Sequence, residues 1–175
     1  MKNLAFALLF LSTSSFAQEK KVNHPTKQSI ELYVKAVDNL TLEAAFELQA
    51  RATLTADSLH KKVTIALLDA SGEILMITRG ESVGPHNTEA ARRKAYTALS
   101  TKTGTLELMR NAALNSDSKN LNTLPELLLL SGGVPIWYKG NVIGSIGIAG
   151  GGSADNDNLI AKSVSIPQLG ISTSK

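Results

Sequence analysis

The chain has 175 residues, with 18 Lys and Arg against 15 Asp and Glu, a formal net charge of +3, and no cysteine. Acids and bases alternate along it without long runs of one sign, which argues against a nucleic-acid-binding surface. The missing cysteine excludes disulfides, thiolate metal sites and a cysteine nucleophile.

The first residues have the layout of a secretory signal sequence. Lys2 gives a positive start, Leu4 to Leu11 an apolar core without a polar face, and Ser15-Phe16-Ala17 a small-x-small cleavage site. The apolar run is too short to span a bilayer, and no later stretch is long enough either. The expectation is an exported protein, secreted or periplasmic, that is not inserted in a membrane, with residues 1–17 removed. What remains is enough for one domain with a core.

Residues 18–40 form a polar leader and an ambiguous segment. Ile30 to Leu40 fits a strand or a helix face equally well. A domain over residues 41–166 follows. Thr41 is placed to cap a helix that ends near His60, with Leu42, Ala45, Phe46, Gln49, Ala52, Ala56 and Leu59 at helical spacing. Val63 to Asp69 reads as a strand, Ala70-Ser71-Gly72-Glu73 as a turn, and Ile74 to Thr78 as the returning strand. After a loop over Arg79 to His86, Asn87 or Thr88 caps a second helix, which Thr103-Gly104 breaks before a shorter one begins at Thr105. Asn115 to Asn122 is read as a polar loop.

Thr123 to Ser153 is the most informative stretch. An apolar run with strand character leads to a glycine pair and then to two strands with period-two alternation, joined at Lys139-Gly140-Asn141, where Gly and Asn tolerate the positive φ of a hairpin turn. One face of this hairpin is made of unusually small residues, which implies a close neighbour. Ser153 caps a last helix that Pro167 stops, and residues 167–175 are read as a loose tail. Short hairpin connections predict an α+β fold: a five-stranded antiparallel sheet with helices packed on its faces.

Four motifs, taken in order, resemble one family. They are Asp69-Ala-Ser-Gly72, Lys94-Ala-Tyr-Thr-Ala98, Gly132-Gly-Val-Pro135 and Gly144-Ser-Ile-Gly-Ile-Ala-Gly150. The chain from about Thr41 onward is similar to GlcG/HbpS-like proteins, the haem-degrading domain family, and within it to the extracellular haem-binding branch. The resemblance implies a profilin-like fold, haem as the cofactor, and a homo-oligomer, with a membrane sensor or transport protein as a further partner. Family members differ in what they do. Some bind haem or release its iron, some report to a sensor kinase, and some are domains of corrinoid enzymes. Three readings therefore stay open: a haem-sequestering or haem-sensing module, a haem-degrading enzyme, and a non-catalytic assembly domain.

Candidate contacts follow from the same motifs. Thr97, by the resemblance, is the residue associated with the haem iron; the alternative is a hydroxyl that bonds back to the preceding helical turn. Arg93 and Lys94, near the start of the second helix, are expected to meet haem propionates or acidic side chains. Arg79, just after a strand, is treated alike. His86, in the loop entering the second helix, is expected either as a second iron contact or as an ordinary surface group. Other chemistry finds no support. The glycine-rich Gly150-Gly151-Gly152-Ser153 lacks the lysine of a phosphate loop, Asp155-x-Asp157 lacks the rest of a calcium loop, and no serine-hydrolase elbow or zinc pair is present.

Overall fold

The computed structural model describes residues 33–175, of which Val37–Lys175 form one compact unit. The signal sequence predicted over residues 1–17 lies outside the described residues. Helix α1 spans Leu42–Ser58, and the Thr41 hydroxyl caps it by accepting the Ala44 amide at 3.1 Å. Its buried stripe is Ala45, Leu48, Ala52 and Ala56, so Leu42 and Phe46, assigned to the inner face from sequence, point outward instead. The small residues of that stripe let α1 lie close to the sheet.

Strands β1 (Thr64–Asp69) and β2 (Ile74–Arg79) form the first hairpin. Helix α2 (His86–Thr101) starts directly after Pro85, earlier than predicted. Asn87 and Thr88 lie in its first turn rather than capping it. Lys102, in the left-handed region at φ 53°, ends α2 before α3 (Thr105–Leu114) begins. The predicted polar loop contains the short α4 (Ser116–Lys119) and one 3-10 turn, Asn120–Thr123. Strands β3 (Gly133–Tyr138) and β4 (Asn141–Ala149) join through Lys139 and Gly140, both at positive φ (47° and 77°), the geometry a two-residue hairpin requires. Asn141 itself is already in β4. Helix α5 (Ala154–Lys162) is capped by Ser153 as expected.

Two expectations for strands need correction. The leucine run before the glycine pair is not a strand; its backbone crosses α2, as described below. The fifth strand comes instead from the tail: β5 (Ile171–Ser172) pairs with β3 at Tyr138 and Trp137 after a one-turn helix over Pro167–Leu169. Residues 167–175 are therefore ordered along the sheet's edge.

The sheet order is β2-β1-β4-β3-β5, antiparallel throughout. One face carries Ile65, Leu67, Val134, Ile136, Ile146 and Ile148 into the main core with α1 and α5. The opposite face is built from Ala66, Leu68 and Ala149, and it packs against Ala91 and Ala95 of α2. Here the glycines decide the geometry. Gly147 and Gly133 sit directly opposite each other in the β3–β4 ladder. A Cβ on Gly147 would run into the Ala91 carbonyl, and one on Gly133 into the Lys94 carbonyl. Helix α2 thus rests on bare backbone, nearer to the sheet than side chains would allow.

Gly147→Ala is expected to lose about 1–3 kcal/mol or more of unfolding free energy, because neither backbone can yield. Gly104→Ala, whose Cβ would find nothing nearer than 3.8 Å, should stay within about 0.5 kcal/mol of wild type. Urea denaturation measures both.

Candidate functional site

Three successive cations of α2 have three different fates, because each residue turns about 100° around the helix. Lys94 points into the protein and is 5% exposed. Its ammonium donates to the Asp157 carboxylate and to the Ile148 carbonyl, both at 2.8 Å. The other Asp157 oxygen accepts the Gly151 amide at 2.8 Å. One buried ion pair thus joins α2, the end of β4, the glycine-rich turn and α5. Of the two partners expected for Lys94, a propionate or an acidic side chain, the structure shows the acidic side chain, and a buried charge requires such a partner.

Thr97 is fully buried. Its hydroxyl donates to the Arg93 carbonyl at 2.7 Å and accepts the Leu128 amide at 2.8 Å. The hydroxyl is thus enclosed within one chain between the helix and the leucine segment, and the back-bonding alternative is the one observed. Arg93 donates to the Leu127 carbonyl at 2.7 Å, while its Nε is buried without a partner. Arg92 bridges Glu89 and Glu126, each at 2.7 Å. The Arg92 guanidinium holds the Glu89 carboxyl below its ordinary range against the opposing effect of burial. Arg92, Arg93 and Thr97 together hold the leucine segment across α2. Leu127 and Leu129 of that segment pack on Leu108.

His86 and Arg79 are exposed. Arg79 donates to the Val83 carbonyl at 2.7 Å and so shapes the loop entering α2. His86 opens α2, eleven residues before Thr97, which is about 16 Å along the axis. Within one chain the two cannot share a metal ion. Asp69 of the first motif is a turn-builder. Burial pushes its carboxyl up, but hydrogen bonds from Ser71, Asn39 and the Glu73 and Ser71 amides outweigh this and leave it lowered.

A cleft of about 770 Å³ opens elsewhere, along the outer edge of β3 between α3, α5 and the C-terminal segment. Its apolar lining residues are Val134, Pro135, Trp137 and Leu106, the first three of them buried. Lys102, Arg110, Lys162 and Lys175 line it as well, against one carboxylate, Glu107. The Lys175 ammonium lies 5.6 Å from the centroid of the Trp137 ring. Arg110 has only a loose exposed contact with Asp155, at 3.9 Å. None of these cations was singled out from the sequence, because four separate segments contribute them and no local spacing connects them. Among the described residues, no group of three or more His, Asp or Glu side chains is arranged to hold a metal ion, and no helix is long and apolar enough to cross a membrane.

A single antiparallel sheet with one helix seated on its glycines and two on the other face defines an α+β domain. The chain belongs to the HbpS-like family, described as haem degrading protein HbpS-like, which matches residues 40–165. It is 34% identical to a double mutant of Streptomyces reticuli HbpS, with a TM-score of 0.70 over 75% of this chain and 88% of that one. A PduOC–haem complex is 26% identical, with a TM-score of 0.68 over 78% of this chain and 99% of that one. By sequence, the chain is 30% identical over 128 residues to the corrinoid adenosyltransferase PduO of Citrobacter freundii. It aligns with 37% of that enzyme's length and covers 71% of its own.

Two outcomes follow from the pairings. Lys94→Met and Asp157→Ala should each cost about 3–5 kcal/mol, and the double variant less than the sum, in a denaturation double-mutant cycle. For Asp69 the folded carboxyl titrates below the unfolded one, so its contribution is full above about pH 4 and is lost as pH falls through the folded value. Asp69→Asn should therefore be less stable than wild type at neutral pH. That gap should narrow only below about pH 4 in urea titrations run at a series of pH values.

Proposed function

We propose that this protein is an exported tetrapyrrole-binding module that takes up haem and acts as a homo-oligomer. The observation that supports the reading best is the likeness to HbpS together with the likeness to a haem complex that the chain matches over 99% of that partner's length. The signal-like residues 1–17 support export, with a mature chain beginning at Gln18. A membrane sensor or transporter is a fitting recipient for haem held outside the cell. Of the contacts read from the sequence, Lys94 and Thr97 are internal, while His86 and Arg79 remain accessible for a guest or a second subunit. Bound haem would supply an iron centre and two carboxylates, and the chain's part is to hold the ring and answer those charges.

The description of the family as haem degrading favours a second reading, in which the bound ring is opened and iron released. The two separate cleanly. Titrating hemin into the purified mature chain should give a saturable Soret shift at a fixed stoichiometry; a spectrum that stays that of free hemin would refute haem binding. Adding a reductant and oxygen, with catalase present to remove peroxide, should leave the Soret band intact if the protein only binds. Bleaching with release of iron would establish the enzyme instead.

A further inference from the structure

We infer that the outward ridge of α1, formed by Leu42, Phe46, Ala50 and Leu54, is a two-fold contact between copies of this chain. This rests on the homo-oligomer reading and deepens it by naming the surface. The four residues follow an i, i+4 spacing, which makes one continuous ridge on a helix. Leu42 is 49% exposed, Phe46 59% and Leu54 71%, with Ala50 exposed between them. The opposite stripe, Ala45, Leu48, Ala52 and Ala56, is already buried against the core. The outward ridge therefore contributes nothing to the packing of its own chain, and a contiguous exposed apolar surface of this kind marks an interaction site.

The ridge complements itself in shape and in charge. Two copies laid antiparallel, about an axis at the level of Leu48, place Phe46 over the partner subunit's Ala50 and Leu42 over the partner subunit's Leu54. The largest side chain of the ridge thus meets the smallest, at the crossing of about −50° that aligns i, i+4 ridges. Beside the ridge, Glu47 comes within two residues of the level of the partner subunit's Arg51, about 3 Å along the axis. By symmetry Arg51 meets the partner subunit's Glu47 in the same way. Within one helix Arg51 Nε already donates to Glu47 at 2.7 Å, so the antiparallel pair closes a ring of four alternating charges. Asp57, farther along, is answered by Lys62 at 2.9 Å. A membrane surface fits less well, because Glu43, Glu47 and Asp57 flank the ridge where a helix lying on anionic lipid carries Lys and Arg.

The test is sedimentation equilibrium of the mature chain over a concentration series. Phe46→Glu, which leaves the buried stripe untouched, should lower the mass of the assembly to half or less. Glu47→Arg and Arg51→Glu each set like charges against each other across the axis, and each should weaken self-association by about ten-fold. An equimolar mixture of those two chains should associate within about three-fold of wild type. In the mixture every contact between copies is again a pair of opposite charges, whereas the pair within each helix stays broken, so a role inside one chain cannot give this recovery. Circular dichroism and the melting temperature confirm that the variants are folded. An assembled wild type whose mass Phe46→Glu leaves unchanged, or a mixture no more associated than its components, would overturn the ridge and leave the homo-oligomer reading intact. The ridge would equally be overturned, in favour of a membrane, by a Phe46→Glu chain that keeps the wild-type mass but loses co-sedimentation with phosphatidylglycerol vesicles. A wild type that is monomeric at every concentration would overturn both.

Discussion

The structure depends on the contact between α2 and the sheet at Gly133 and Gly147. Because these residues face each other across β3 and β4, the helix backbone settles directly onto the ladder. That seating has an electrostatic consequence. It carries the Lys94 ammonium into a region water does not reach, where a lone charge would be very costly. Asp157 answers it, and in doing so it fixes the turn from β4 into α5 through the Gly151 amide. The glycine-rich turn is therefore a charge-organised joint between layers. Anion binding at the α5 N-terminus would have to displace a carboxylate that already bonds that turn.

The same seating determines what α2 offers to a ligand. One side of the helix lies on the sheet, another holds the ion pair, and a third is crossed by the leucine segment, tied down by Arg92, Arg93 and Thr97. Little of α2 beyond its exposed N-terminal turn is left for a flat guest. On the other side of β3, α3, α5 and the C-terminal segment line a separate cleft with exposed cations at its rim. The homology to haem-related proteins and the internal role of the α2 motif are compatible on this view. A motif can mark a family through the packing it requires and need not touch the ligand.

Much of the fold was legible from the sequence because local chemistry and final structure agree there. Thr41 and Ser153 cap the helices they were assigned to, and Lys139-Gly140 makes the hairpin turn. The small-residue hairpin face does receive a close neighbour, α2 itself. What could not be read was whatever depends on rotation or on distant segments. Arg92, Arg93 and Lys94 look alike in sequence, and only their angles about the helix separate a surface bridge, a strap and a buried pair. The leucine run has strand-like composition, but its Leu128 amide and Leu127 carbonyl are taken up by α2 side chains. β5 is too short for any alternation to show, and it forms because the β3 edge at Trp137 and Tyr138 was available. The cleft's cations come from four separate segments, so only the folded chain brings them together.

The Lys94 ammonium reports most directly on the seating of α2, because it lies 2.8 Å from both the Asp157 carboxylate and the Ile148 carbonyl and is 5% exposed. In isotope-labelled protein its hydrogen exchange can be followed by nuclear magnetic resonance beside that of exposed lysines such as Lys119. A resolved Lys94 ammonium signal that exchanges far more slowly than theirs is the expected result. A Lys94 ammonium that exchanges as fast as the exposed ones would contradict it.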